Sequence, residues 1–289
     1  MSLTMISQLL ISGVCSSFIL LLTSLGLVII LGYMKVVNLA HTEMLMAGAY
    51  ICYYTYSVAG LPFILCLLIA FGVSFLFGAV VERIIIRHFY GKMSETLLAT
   101  YAISIILKQL ALILFGKTYK QVAYPITKVF DIGPVYIEGY KLALILISLS
   151  ALVGTLLFIN KTRIGRQIRS TTQNRTMTEC LGIDTRKVDT ITFSYGMGLA
   201  GLAGAAIAPL STVTYSLGES WLTNTFMNVV MGGVSSLFGT LASSFVIQES
   251  ISVISGLFGS VAAQIIVLLV VVMIVRLKPE GLFTSKERR

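Results

Sequence analysis

The residues best placed to do chemistry open an apolar run, in VVNLAHTEMLMAGAY: Asn38, His41, Thr42 and Glu43. Ionisable groups at a membrane edge are expensive, so they normally face a cavity, a partner or the interface. Two readings stand. The four either form a polar opening to a translocation path or brace a broken helix, or they make an ordinary helix start, with Asn38 as cap and Glu43 favoured by the helix dipole. A second polar spot, Lys108 and Gln109 in YAISIILKQLALILFG, lies inside another apolar run. Lys108 sits near the end of that run, so snorkelling to the outer surface is the expectation.

Catalytic chemistry finds no support. His41 and His88 are the only histidines, which disfavours zinc sites built on two or three of them. Gly116-Lys117-Thr118 has the ending of a phosphate-binding loop, but Ala111 stands where the first glycine belongs. The chain cannot bind ATP in that way. GVSSLFG places serines near glycines without a histidine to activate them, which argues against an intramembrane protease. The four cysteines are isolated and show neither metal-ligand spacing nor a disulfide framework. Neither a metal nor a cofactor is expected.

The elements that must carry these residues are membrane helices. Hydrophobic residues make up 56% of the chain and charged residues 11%, whereas soluble domains carry about 25% charge. Apolar spans fall near 8–33, 36–57, 62–82, 95–115, 141–159, 190–208, 222–238, 240–257 and 261–277, and most suffice to cross about 30 Å of hydrocarbon. The span at 222–238 is weak, being short and interrupted by Gly232-Gly233. The fold class is all-α: a polytopic helical membrane protein of roughly eight to ten transmembrane helices, forming one domain over residues 1–289. The first apolar run lacks a basic leader and reads as a retained helix.

Net charge is +9, but the basic residues lie in short connecting loops and the tail. The positive-inside bias accounts for them without a nucleic-acid partner. Arg83, Arg87 and Lys92 mark one inner loop, residues 160–189 a second, and Arg276 to Arg289 an inner tail. Nine crossings with an outer N-terminus satisfy all three, although Lys117, Lys120, Lys128 and Lys141 then fall outside. The loop at 160–189 holds seven Lys or Arg against three acids. Taken alone, it suits anionic lipid headgroups or a cytoplasmic partner. The small residues of YGMGLAGLAGAA, from Gly196 to Ala205, suit close helix packing.

Three segments carry a resemblance to the permease family of the branched-chain amino acid ABC importers. VVNLAHTEMLMAGAY is similar to the family's Asn-x-Ala-His-Gly-Glu stretch, with Thr42 replacing the usual glycine. LLATYAISIILKQL is similar to a second family pattern, with Ala102 and Lys108 replacing glycine and glutamine. The third runs from Thr162 to Ala206, where Gly165, Arg169, Gln173, Asn174, Gly182 and Ile183 match the family's coupling loop. TQNRTMTECLGI, TNTFMNVVMGGVSSLFGT and LKPEGLF resemble the urea-transport branch, and Arg175-Thr176 stands where amino-acid permeases place a proline-acid pair.

The resemblance implies a bacterial inner-membrane, multi-pass translocation subunit that is not itself an enzyme. Its partners would be a second related permease, two cytoplasmic ATPases and an extracytoplasmic substrate-binding protein, all acting in the lipid bilayer. Urea or a short amide would move by alternating access; the alternatives are branched-chain amino acids or a passive small-solute channel. Residues Arg166 to Gly182 would form one coupling helix, bracketed by Gly165 and Gly182, with Arg166, Arg169, Gln173 and Asn174 on it and Asp184 starting the next helix. Asn38, His41, Glu43, Gly232 and Gly233 would lie on or brace the path.

Overall fold

The computed structural model describes residues 3–132, 135–279 and 281–282. Eleven α-helices appear among them. They are α1 (Leu3–Ile29), α2 (His41–Cys52), α3 (Phe63–Ile84), α4 (Met93–Phe115), α5 (Gly139–Lys161), α6 (Arg163–Gln173), α7 (Arg175–Cys180), α8 (Thr185–Ile207), α9 (Leu217–Gly232), α10 (Leu237–Phe258) and α11 (Ser260–Leu277). A two-stranded antiparallel hairpin, β1 (Val129–Ile132) and β2 (Val135–Glu138), precedes α5 with Val129 opposite Glu138. Seven helices are long and apolar enough to cross a membrane. The other two apolar spans became α2 and α9, which are 12 and 16 residues long. At 1.5 Å per residue α9 covers about 24 Å, short of the roughly 30 Å hydrocarbon layer.

Two helices form the centre. Within their apolar windows α1 is 78% buried and α8 83% buried, whereas α4 and α11 are 17% buried and lie at the periphery. Helix α8 can be central because its small residues admit neighbouring backbones. A Cβ on Gly204 would fall on the Leu45 carbonyl of α2, and one on Gly201 would strike Ser74 of α3. This is the close packing that small residues allow where lipid offers no hydrophobic drive for association.

The basic segments meet at one end. The Thr172 hydroxyl donates to the Tyr33 carbonyl at 3.0 Å, joining α6 to the end of α1. Glu82 at the end of α3 accepts from Thr190 near the start of α8 at 2.6 Å. The Leu282 amide donates to the Met231 carbonyl at 2.9 Å, bringing the chain after α11 to the same end. Of the expected inner tail, residues 283–289 lie outside the described residues. At the far end Gln8 bonds Tyr136 of the hairpin, and Lys120 pairs with Val213 through backbone bonds. Two of the lysines that counted against this orientation have partners there. Lys141 pairs with Glu138 at 3.2 Å, and the Lys120 ammonium lies 4.7 Å from the Tyr53 ring centroid.

Candidate functional site

Helix α2 starts deep within the bundle, with His41, Thr42 and Glu43 all buried. A π-helical turn, Ile30–Met34, extends α1 and ends at Lys35, the one described non-glycine residue with positive φ. The chain then turns back without helical structure until His41. Here the Asn38 amide donates to Met197 of α8 at 3.2 Å. Met197 lies twelve residues into α8, about 18 Å from its basic end. Non-helical backbone at such depth must find partners within the protein. Thr100 of α4 supplies two, donating to the Val37 carbonyl and accepting from the Leu39 amide, both at 3.2 Å. Asn38 Oδ1 accepts from the Ala40 amide at 3.1 Å. His41 Nε2 meets the Thr23 carbonyl of α1 at 3.1 Å. Asn38 and His41 thus make hydrogen bonds in and beside the break between α1 and α2; Ala40, not Asn38, is the helix cap residue.

Glu43 occupies the first turn of α2, where the helix dipole favours a negative group. It is 2% exposed, and its Oε1 accepts from Ser104 of α4 at 3.1 Å. Among the described residues its Oε2 has no partner, and neither do the adjacent buried atoms Thr42 Oγ1 and His41 Nδ1. Three consecutive side chains therefore keep unused polar atoms at one helix start. Helix α9 approaches from the third side: a Cβ on Gly218 would lie 2.7 Å from Glu43 Oε2.

Lys108 forms an ion pair with Glu219, the residue after Gly218. Lys108 is one turn beyond Ser104 on α4, so Glu43, Ser104, Lys108 and Glu219 form one contiguous polar group. Every exposed residue of α9 is polar, namely Glu219, Ser220 and Thr223. The exposed side of α3, by contrast, carries Ile64, Leu68, Val73, Leu76 and Val80. Lipid suits the second surface and not the first.

Gly232 and Gly233 are elsewhere. They end α9, about 21 Å along it from Gly218. Gly233 has φ +96°, and a Cβ on Gly232 would lie 2.6 Å from the Gly239 carbonyl group of α10. The pair makes a tight turn at the basic end and does not join Asn38, His41 and Glu43.

The expected single helix from Arg166 to Gly182 is two helices. Thr162 caps α6 by accepting from the Gly165 amide at 2.9 Å, and Asn174 caps α7 by accepting from the Met177 amide at 3.0 Å. Asn174 interrupts the run because its extended backbone and side chain start a new helix. Gly165 is not a breaker; it is buried inside α6, where a Cβ would collide with the Ile159 carbonyl of α5. Gly182 does end the second helix, with φ +80°. Asp184 caps α8 through the Lys187 amide at 3.2 Å, and this bond holds its carboxyl below the usual carboxylate range. The Thr185 hydroxyl donates to Glu179 and lowers that carboxyl likewise. Arg169 turns back to Asn160 at 2.7 Å, whereas Arg166, Gln173, Asn174 and Gly182 are exposed. Met177 and Leu181, one turn apart, are 60% and 73% exposed.

Residues 9–276 match the family described as branched-chain amino acid transport system, permease component. The chain belongs to that permease family. It is 23% identical to the high-affinity branched-chain amino acid transport system permease protein BraD of Pseudomonas aeruginosa, over 97% of this chain and 96% of the relative. It is 22% identical to the probable branched-chain amino acid transport permease protein LivH of Methanocaldococcus jannaschii, over 92% and 89%. Against the high-affinity permease protein LivH of Escherichia coli it is 21% identical, over 92% and 91%. No solved structure matches significantly. The chain is a multi-pass inner-membrane permease of the ABC-importer type, a class that works with ATPase and binding-protein partners.

Several residues of this permease were not singled out by sequence. Glu219 precedes the apolar run at 222–238 and reads as loop. Glu82, wholly buried, falls at the edge of its span, yet it accepts from Thr190, Tyr90 and Arg87. Asn228 holds α9 between α1 and α10, donating to Ser24 at 3.0 Å and accepting from Ser243 at 2.5 Å. Its only sequence signal is an amide within an apolar run.

Proposed function

We propose that this chain is the translocation subunit of an ATP-driven importer of branched-chain amino acids in the bacterial cytoplasmic membrane. The observation that carries the path is the polar exposed side of α9 with Lys108 and Ser104 of α4, next to the broken start of α2. Charged side chains at this depth belong against water or protein. A second, related permease would enclose the path by covering this side, and a binding protein would deliver solute at the far end.

Two ATPases would dock at the basic end. Helices α6 and α7 form the coupling element in this reading, with the exposed Met177–Leu181 pair seated in an ATPase groove and Arg166, Gln173 and Asn174 around it. Gly165 and Arg169 hold the elbow between α5 and α6, and Gly182 ends the element. Nucleotide-driven closure moves α7 and tilts α8 and α3 about the path.

The substrate reading follows the relatives, which are named for branched-chain amino acids. Urea, suggested by TQNRTMTECLGI and its companion segments, has no support from them, and the passive channel would leave the coupling element without a role. Labelled leucine and labelled urea uptake, in vesicles holding the whole complex and its binding protein, tests the reading. ATP-dependent leucine uptake supports it. Urea uptake that ignores excess leucine overturns the substrate, and flux without ATP overturns the importer.

A further inference from the structure

We propose that Lys108 and Glu219 form a headgroup clamp that selects zwitterions on the translocation path, with Glu43 as a second acceptor behind it. This rests on the amino-acid reading above and goes beyond it by naming the atoms that meet substrate.

The pair is placed where a structural ion pair is poorly motivated. Lys108 lies about 22 Å from the basic end of α4 and about 10 Å from its other end, within a helix long enough to cross the hydrocarbon layer. Its side chain is 34% exposed and that of Glu219 is 62% exposed. Exposed charges at this depth are costly against lipid and gain little as a pair against water. They are well placed to exchange partners. The closed pair is neutral, and an amino acid is neutral overall while carrying both charges. Inserting it replaces one ion pair with two: the Lys108 ammonium to the substrate carboxylate, and the substrate ammonium to the Glu219 carboxylate. The exchange adds no net charge at the Lys108–Glu219 pair. A lone cation or anion would leave one protein charge unmatched, and urea offers no charge to open the pair.

An independent observation points into the same place. Glu43 Oε2 is buried without a partner, and Thr42 Oγ1 beside it is also free. A buried acceptor left unpaired is costly, so it marks a position where a donor arrives. Glu43 reaches the clamp through Ser104, one turn from Lys108, and through Gly218, next to Glu219. A substrate ammonium leaving Glu219 meets this second carboxylate on its way inward.

The test is leucine uptake by the complete complex with its binding protein, comparing wild type with Lys108→Ala, Glu219→Ala and the double variant. Removing both partners of a merely structural pair is close to neutral, whereas removing both halves of a clamp loses both substrate contacts. The expected result is a fall of at least about ten-fold in each single variant, with no recovery in the double variant. A second measurement places Ser220→Cys, exposed beside Glu219 with the clamp left intact, in a Cys180→Ser background and follows labelling by a charged thiol reagent. Leucine-loaded binding protein with ATP should slow labelling several-fold; empty binding protein with ATP should not. Wild-type uptake in the double variant, or labelling indifferent to leucine, overturns the clamp alone. A wild-type complex that moves urea and ignores leucine overturns the amino-acid reading and the clamp together.

Discussion

Arg175 Nη2 donates to Asp189 Oδ2 at 2.6 Å, fastening the first residue of α7 to the second turn of α8. The same guanidinium donates to Thr185 at 3.2 Å, and its Cζ lies 5.5 Å from the Tyr90 ring centroid. Tyr90 in turn donates to Glu82 at 2.8 Å, and burial pushes its phenol far above its ordinary range. One connected polar group therefore ties the candidate coupling helix to the basic ends of α3 and α8.

Replacing Arg175 with alanine should loosen α7 without unfolding the bundle. Asp189 is then left buried without its cation, which costs more than the exposed half of the pair would suggest. The expected outcome is a drop of about ten-fold in uptake per ATP hydrolysed while the ATPases continue to turn over. Measuring hydrolysis and uptake in the same vesicles checks this, and unchanged stoichiometry would refute the transmission role.

Leu181→Asp should abolish ATPase docking. Leu181 is 73% exposed and touches little of its own chain, so the permease should keep its Tm in detergent within about a degree. Co-purification of the ATPases is the readout, with Phe258→Asp at the far end as a matched exposed control. Retained co-purification would remove α7 from the docking surface.

Gly204→Leu should destabilise the bundle by more than about 3 kcal/mol, because backbone, not a movable side chain, occupies the space. Gly154→Ala, a helical position with nothing within 4 Å, should be neutral or stabilising by about 0.5–1 kcal/mol. Thermal unfolding in detergent compares the two.

Thr100→Val keeps the shape of the side chain and removes its hydroxyl. The Leu39 amide and Val37 carbonyl then lose that partner inside the membrane, at a cost of about 1–3 kcal/mol. Hydrogen exchange at residues 36–40 should rise while exchange in α8 stays slow. Uniform exchange across both segments would show that the hydroxyl does not hold the break.

The membrane fold was legible in the sequence because hydrocarbon imposes a length and a composition that no folding detail can evade. The same is true of the glycines and alanines of α8, whose small size has one main use between helices. Asn38, His41 and Glu43 stood out because polar residues opening an apolar run need a reason. Which reason applied was a tertiary matter. Only the packed structure put Thr23, Met197, Thr100 and Ser104 from three other helices around them, giving Asn38 and His41 partners while leaving Glu43 with an unused oxygen. Glu219 and Lys108 are 111 residues apart, and no local pattern announces a partner at that distance. Gly232-Gly233 looked like a break on the path, yet whether two glycines bend a helix or end it depends on what lies beside them, here Gly239. Hydropathy acts residue by residue along the chain and can be read there; the pairing of polar groups is a property of neighbours that the folded bundle alone supplies.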